Sequence, residues 1–375
     1  MTTVESLADD LREEFLTCSL CFSRFHKPKL LPCQHTFCSP CLMKWINTKT
    51  SHYKIECPMC REESTLPHGG VHALPESFFA VGLMDFLDSR LQDSTDALRA
   101  GLFHQFGRKG NSDGQLYKPQ GIAACQSGNI LVTDCKNRIQ IFSSVGKFLN
   151  KYSFDDLEKK FSPCCVTVTK HLSPDQSEWV LVSDVNNKQV MLCELDGNVV
   201  RHIGRDDLQM PGGVAVTSDG IIHVVDVYAN LIRSYTVHGV AVRTFGGSGV
   251  REGSFQTPKY IAVAKNDRLV VSDSLNHRIQ IFDSTGHFRR SIGTRSKDSG
   301  GFKSPTGVAV DSNNNILIAD GQNHSLQLFD PFGRLLKRID DDIDDLSHPE
   351  SVTIGIDGSV LVADAGNHSV KVFRY

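Results

Sequence analysis

A five-residue run ending in aspartate returns six times beyond residue 101: Ile130–Asp134, Val180–Asp184, Ile222–Asp226, Leu269–Asp273, Ile316–Asp320 and Val360–Asp364. Successive aspartates stand 50, 42, 47, 47 and 44 residues apart. A period of that length is a supersecondary unit that buries its apolar faces against copies of itself. Each copy holds further short β-branched runs punctuated by Gly, Asn and Asp. The fifth reads Gly307–Val310, Ile316–Asp320, Ser325–Phe329 and Leu335–Ile339. Four strands per unit and six units predict an all-β, six-bladed β-propeller over residues 101–375. After Asp364 the last copy has only one more strand, Ser369–Tyr375, while residues 102–107 read like the outer strands Val199–Gly204 and Ala241–Gly246. The N-terminal strand is therefore expected to complete the last blade and remove an open edge.

Ahead of the repeats, residues 18–60 hold seven cysteines and one histidine, spaced Cys18-x-x-Cys21, Cys33-x-His35, Cys38-x-x-Cys41 and Cys57-x-x-Cys60. A lone Cys-x-x-Cys also suits redox chemistry, but four close pairs in so short a block are a much sharper signal. Eight such ligands suit two tetrahedral zinc ions with four ligands each. With every position filled by protein, neither ion has room for water or substrate, so the metals are expected to be structural and the cysteines ligands rather than nucleophiles. The block is too short for a core of its own, and metal binding would supply much of its folding free energy.

Composition narrows the setting. The 375 residues carry a net charge of −3 and 40% hydrophobic residues, ample for real cores and without bias toward nucleic acid or membrane. Residues 1–10 are acidic and lack a signal-peptide pattern, and no apolar stretch approaches a membrane span. The other cysteines (125, 135, 164, 165, 193) sit in β-like segments and read as small buried hydrophobes. A cytoplasmic or nuclear location fits. Two amphipathic helices are expected around the zinc block. One covers Val4–Leu16. The other is capped by Ser77, with Phe79, Leu83, Phe86, Leu87 and Leu91 on one face. They either pack on the zinc module or pair with a second copy as a homodimer. The expected layout is a helix within 1–17, the zinc module at 18–61, a linker with the second helix at 62–100, and the propeller.

The ligand order and spacing of residues 18–60 resemble a RING finger. The resemblance implies interleaving, with Cys18, Cys21, Cys38 and Cys41 on one zinc and Cys33, His35, Cys57 and Cys60 on the other. It implies a site for a ubiquitin-conjugating enzyme made by Leu20, by Trp45 on a short helix, and by Pro58. Arg61 would bridge ubiquitin and its carrier. A guanidinium can hold two carbonyl partners at once, so catalysis would be positioning, with no covalent ubiquitin intermediate on this chain. Leu20 and Trp45 could instead serve local packing, and Arg61 could be a solvated charge. A conspicuous apolar patch on so small a module nevertheless calls for a partner.

The repeats resemble the NHL family through Asn276-His277-Arg278-Ile279, Asn323-His324-Ser325-Leu326 and Asn367-His368-Ser369-Val370. Asn137-Arg138-Ile139 keeps part of the tripeptide, and copies two and three have Asn187-Lys188 and Asn230-Leu231 in its place. Together the modules resemble the tripartite-motif NHL ubiquitin ligases, but without a B-box or a long coiled coil between them. The implied function is a RING-type ubiquitin ligase whose propeller binds substrate proteins. The alternatives are an RNA-binding regulator and a non-catalytic scaffold.

The recurrent aspartates and Asn-His pairs are expected to serve turns, since repetition at equivalent positions points to structure. On the face shared by the blade-joining loops, Arg108, Lys109, Lys118, Arg251, Lys259, Arg295, Lys297 and Lys303 stand against Asp340, Asp341, Asp342, Asp344 and Asp345. Arg251, Lys259, Arg295 and Lys297 are the candidate substrate contacts. From residue 101 on there are 30 Lys+Arg and 30 Asp+Glu, a neutral balance that favours protein over RNA.

Overall fold

The structure, a computed structural model, describes residues 16–21, 23–47, 54–82, 101–152, 154, 157, 159–173, 175–294, 296, 300–341 and 343–375. The chain divides into two units, Met1–Arg99 and Ala100–Tyr375.

In the second unit the β-branched runs form six antiparallel four-stranded sheets, a six-bladed propeller. Blade 1 comprises Pro119–Ala124, Ile130–Asp134, Arg138–Phe142 and Phe148–Tyr152. The second strands, each ending in the repeated aspartate, are buried almost throughout, because both their faces meet neighbouring blades. Fourth strands such as Val199–Ile203 are mostly exposed. Blade 6 takes its first three strands from Pro349–Ile354, Val360–Asp364 and Ser369–Phe373. Its fourth is Leu102–Phe106, paired Val370 to Phe106 and Phe373 to Leu102. The ring thus closes by joining the two ends of the repeat region, which leaves no blade with a free third strand. Phe106 packs on Phe142 of blade 1 at a ring distance of 5.1 Å. Gly146 makes room for it: its φ is +78°, and a Cβ there would lie 2.3 Å from the Phe106 side chain.

The aspartates do more than form turns. All six are buried, and each accepts an amide hydrogen bond from the loop leading into its own blade's first strand. The donors are Tyr117 to Asp134 (3.0 Å), Ser162 to Asp184 (3.0 Å) and Met210 to Asp226 (3.0 Å). Blades 4 to 6 repeat this with Gln256 to Asp273 (2.7 Å), Ser304 to Asp320 (2.8 Å) and Ser347 to Asp364 (2.8 Å). Arg138, Arg233, Arg278 and Lys371 add a cation in four blades. In blades 2 and 5 Asn187 and Asn323 donate at 2.7 and 2.8 Å.

The repeat histidines link consecutive blades. His277 Nδ1 donates to the Lys303 carbonyl (2.6 Å), while His324 and His368 accept at Nδ1 from the amides of His348 (2.9 Å) and Lys118 (3.0 Å). The last of these bonds runs from blade 6 to blade 1. All three histidines adopt a left-handed φ of 52–57°.

Two outcomes follow. Full-chain Phe106→Ala should lose about 3–5 kcal/mol in denaturant unfolding of the propeller, and deletion of 102–106 should lower its melting temperature further. An unchanged transition in both would mean that this strand does not hold the ring. His223, fully buried in blade 3 with Nδ1 2.9 Å from Ser234 Oγ, has its pKa pushed down to about 4, first by burial and then by Arg243. Its folded pKa lies below the unfolded value, so the unfolded chain binds the extra proton, and stability falls as pH drops from about 6.5 toward 4. Between pH 7 and 4.5 wild type should lose about 2–3 kcal/mol more than His223→Gln, measured by urea unfolding at both pH values.

Candidate functional site

In the first unit, hairpins and a helix bring the eight predicted ligands into two clusters. The ribbon Pro28–Leu30 with Thr36–Cys38 delivers Cys33, His35 and Cys38, and the helix Ser39–Asn47 carries Cys41. The ribbon Lys54–Glu56 with Glu63–Thr65 holds Cys57 and Cys60 in its turn. Cys18, Cys21, Cys38 and Cys41 form one set, and Cys33, His35, Cys57 and Cys60 the other, with ligand atoms inside each set within 4.8 Å of one another. The sets interleave along the chain.

The donors fit zinc. Zn–S bonds of about 2.3 Å in a tetrahedron put sulfurs about 3.8 Å apart; Cys21 and Cys38 sulfurs are 4.0 Å apart, and Cys57 Sγ lies 3.6 Å from His35 Nδ1. Burial, followed by the nearby Cys18 sulfur, pushes the Cys38 thiol up to about 12, so crowded thiolates here require a central cation. The His26 amide donates to Cys38 Sγ at 3.1 Å and the Cys38 amide to Cys18 Sγ at 3.4 Å, orienting the ligands. Two zinc ions are the cofactor, and their all-protein ligand sets make them structural.

Around the clusters lies a small core of Leu31, Phe37, Leu42 and Ile55. Val71 and Leu74 also join it, and Lys29 Nζ donates to the Leu74 carbonyl at 2.8 Å. The chain after Arg61 therefore stays with the zinc module. The helix expected behind Ser77 begins at residue 78, with Ser77 Oγ 3.5 Å from the Ala80 amide. Its later positions Leu83, Phe86, Leu87 and Leu91, and residues 1–15 of the N-terminal helix, lie outside the described residues.

Leu20, Trp45 and Pro58 are half-buried, and the first two pack against the zinc-module core. The Trp45 indole N–H donates to the Glu56 carbonyl at 2.9 Å, which fixes the ring. Arg61 is exposed, with φ +63° and its amide 3.0 Å from the Cys57 carbonyl. Met59 is 58% exposed between the last two ligands. Sequence reasoning passed it over, although an apolar residue inside a ligand turn with both neighbours committed is the signal that marks it.

On the propeller, a cleft of about 330 Å³ brings Lys259 together with Lys303, His324, His348 and Glu350. Arg251 is exposed in the loop between blades 3 and 4 and does not line this cleft, and Arg295 and Lys297 lie outside the described residues. The expected acidic sector is weaker than its composition implies. Asp340 and Asp344 are buried, the first accepting from the Leu326 amide and paired to Arg338, the second accepting from the Asp341 amide. Asp342 lies outside the described residues. Among the cysteines beyond the zinc module, Cys125, Cys165 and Cys193 are buried, Cys164 is half-buried, and Cys135 is exposed because it sits in the turn after Asp134.

The propeller axis holds a cavity of about 470 Å³ walled by first-strand residues such as Val166, Val214 and Val308. Tyr260 of blade 4 reaches across it and donates to the Gln120 carbonyl of blade 1 at 2.5 Å. Burial raises both the Tyr260 hydroxyl and the Cys165 thiol, the latter to about 11, so neither is poised for proton transfer.

Full-chain protein should contain two zinc ions by native mass spectrometry. A strong chelator should abolish the first unit's cooperative structure, read from Trp45 fluorescence, and leave the propeller's transition in place. A single ion, or an intact first unit after chelation, would contradict the paired sites.

Residues 18–60 match the C3HC4-type zinc finger (RING finger) family, and residues 116–142, 255–282, 302–329 and 346–373 match the NHL repeat. The matched repeats are blades 1, 4, 5 and 6, whereas the tripeptide is degraded in blades 2 and 3. Tripartite motif-containing protein 2 of Mus musculus is 41% identical over 98 residues, 24% of this chain and 13% of that protein. RING finger protein nhl-1 of Caenorhabditis elegans is 42% identical over 85 residues, 23% of this chain and 8% of that protein. The chain thus spans about a tenth of the length of these curated relatives. Among solved structures, a streptogramin B lyase covers 72% of this chain and 96% of its own at a TM-score of 0.53 and 13% identity, a likeness of fold alone. The chain carries a C3HC4-type RING finger, followed in sequence by a six-bladed propeller of NHL repeats.

Proposed function

We propose that this chain is a RING-type ubiquitin ligase acting in the cytoplasm or nucleus, with the RING recruiting a ubiquitin-charged conjugating enzyme and the propeller binding substrate proteins. The observation that carries it is the combination of closed metal sites with exposed and half-exposed side chains beside them. Both zinc sets are complete, so the metals have no chemistry to perform, while Met59 and Arg61 are open to a partner and Leu20, Trp45 and Pro58 are partly so.

In the proposed reaction the substrate lysine amine attacks the thioester carbonyl that joins ubiquitin to the conjugating enzyme. The C–N bond forms, the C–S bond breaks, the nitrogen gives up one proton to solvent, and the thiolate leaves on the conjugating enzyme. No group of this chain becomes covalently linked. Leu20, Trp45 and Pro58, joined by Met59, dock the enzyme, and Arg61 donates to carbonyls of both ubiquitin and its carrier. This restricts the tethered ubiquitin to a reactive geometry.

A second reading, an RNA-binding propeller, draws support from the burial of Asp340 and Asp344, which leaves the basic residues of the blade-joining face less opposed. A filter-binding salt titration distinguishes it, since phosphate contacts give a steep slope.

Discharge of ubiquitin from a loaded conjugating enzyme to free lysine tests the ligase. Wild type should accelerate discharge, Arg61→Ala should lose on the order of tenfold or more while still binding the enzyme, and Trp45→Ala should weaken binding by about 2 kcal/mol. Absence of any discharge by zinc-loaded wild type would leave the chain a scaffold.

A further inference from the structure

The loops that join consecutive blades emerge on one face together with the loops between second and third strands, and there the surface is divided. Over blades 4 to 6 it is cationic, with Lys259, Lys303, His324 and His348 around the cleft of about 330 Å³. Over blades 3 and 4 it is apolar, with Tyr228 75%, Val250 66%, Leu275 53% and Met210 39% exposed.

The blade-to-blade hydrogen bonds place these regions side by side. Asn230, two residues after Tyr228, accepts the Thr257 amide at 2.7 Å, two residues before Lys259. His277, two residues after Leu275, holds the Lys303 carbonyl. Apolar and cationic side chains therefore alternate around the ring: Tyr228, Lys259, Leu275, Lys303.

Within the cleft the donors are unequally committed. Lys259 Nζ meets Glu350 at 3.3 Å, with both side chains about one-third exposed. Among the described residues the Lys303 ammonium and the His348 imidazole have no hydrogen-bond partner. His324 accepts at Nδ1 from the His348 amide, so its neutral ring carries its proton on Nε2 as a further donor. Its ring stands 4.4 Å from that of His348. A concave site with two ammonium groups, imidazole donors and one internal carboxylate is built for an anion that can displace the carboxylate from Lys259.

We propose that this cleft recognises an anionic side chain, carboxylate or phosphate, in an extended segment of a protein substrate whose neighbouring apolar residues rest on Tyr228 and Leu275. The proposal rests on the propeller being the substrate-binding part of the ligase. A peptide suits the site better than a nucleic-acid backbone because the cationic region is short, is interrupted by apolar side chains and contains Glu350, which would repel a continuous run of phosphates.

The test uses the full chain and degenerate peptide pools with a fixed central Glu, phosphoserine or Ala, plus a random RNA octamer, read by capture and anisotropy. The Glu and phosphoserine pools should be retained over the Ala pool, and their ratio reports which anion is preferred. Lys303→Met should weaken acidic-pool binding at least about tenfold. Glu350→Gln, which frees Lys259 and keeps the shape, should strengthen it severalfold. Equal retention of all three pools, weakened binding in Glu350→Gln, or tighter RNA binding lost in Lys303→Met would each overturn the proposal. Ubiquitin discharge to free lysine should be unchanged in both variants, so failure of the cleft and failure of the RING are distinguishable.

Discussion

Six carboxylates without solvent around them accept hydrogen bonds from the backbone that leads into each blade, and the propeller depends on that contact. A buried carboxylate is costly unless its oxygens are filled. Here each is filled by an amide from its own blade's lead-in and by a cation from its third strand or an asparagine from the turn before it. The contact joins the two ends of the first strand pair and places the blade-joining loop over the second strand. With that loop placed, the histidines of blades 4, 5 and 6 can reach the next lead-in, and the ring closes on Lys118.

The same loops line the face that carries the cationic cleft. Lys303 and His348 are held in lead-ins and Lys259 at the start of a first strand, so the geometry of the cleft is a by-product of the interactions that hold the ring together. At the other end of the chain zinc has the corresponding part. Its eight ligands are drawn from two ribbons, one helix and the first hairpin, and a core that includes Val71 and Leu74 forms around them. In both units exposed or half-exposed side chains stand beside the structural contact: Met59 and Arg61 beside the metal sites, Lys303 and Leu275 beside the buried aspartates.

Much of this was legible in the residues. Metal ligands must be Cys or His and must come in close pairs, so Cys18 to Cys60 could be read directly. The six aspartates could be counted, since a repeated fold repeats its chemistry. A further marker was present but unread: every first strand starts at a proline, fifteen residues before the aspartate in five of the six blades. Proline suits that position because the first residue of the strand need not donate to the ladder. The role of the aspartates was harder to read. A turn and a loop latch both call for Asp, and only the fold shows which amide lies within reach.

The sequence alone determined the number of blades, the metal, its ligands and the strand that closes the ring, because each is a matter of count, residue type or period along the chain. Only the tertiary structure decided which charges remain on the surface. Asp340 and Asp344 look like part of an acidic sector in one dimension, yet they are consumed by backbone amides once the loop folds. Lys259 and Lys303, 44 residues apart in sequence, share one cleft because consecutive blades stand side by side around a common axis. Burial and proximity are properties of distance in space, and a linear pattern records them only where the period of the fold carries them back to the chain.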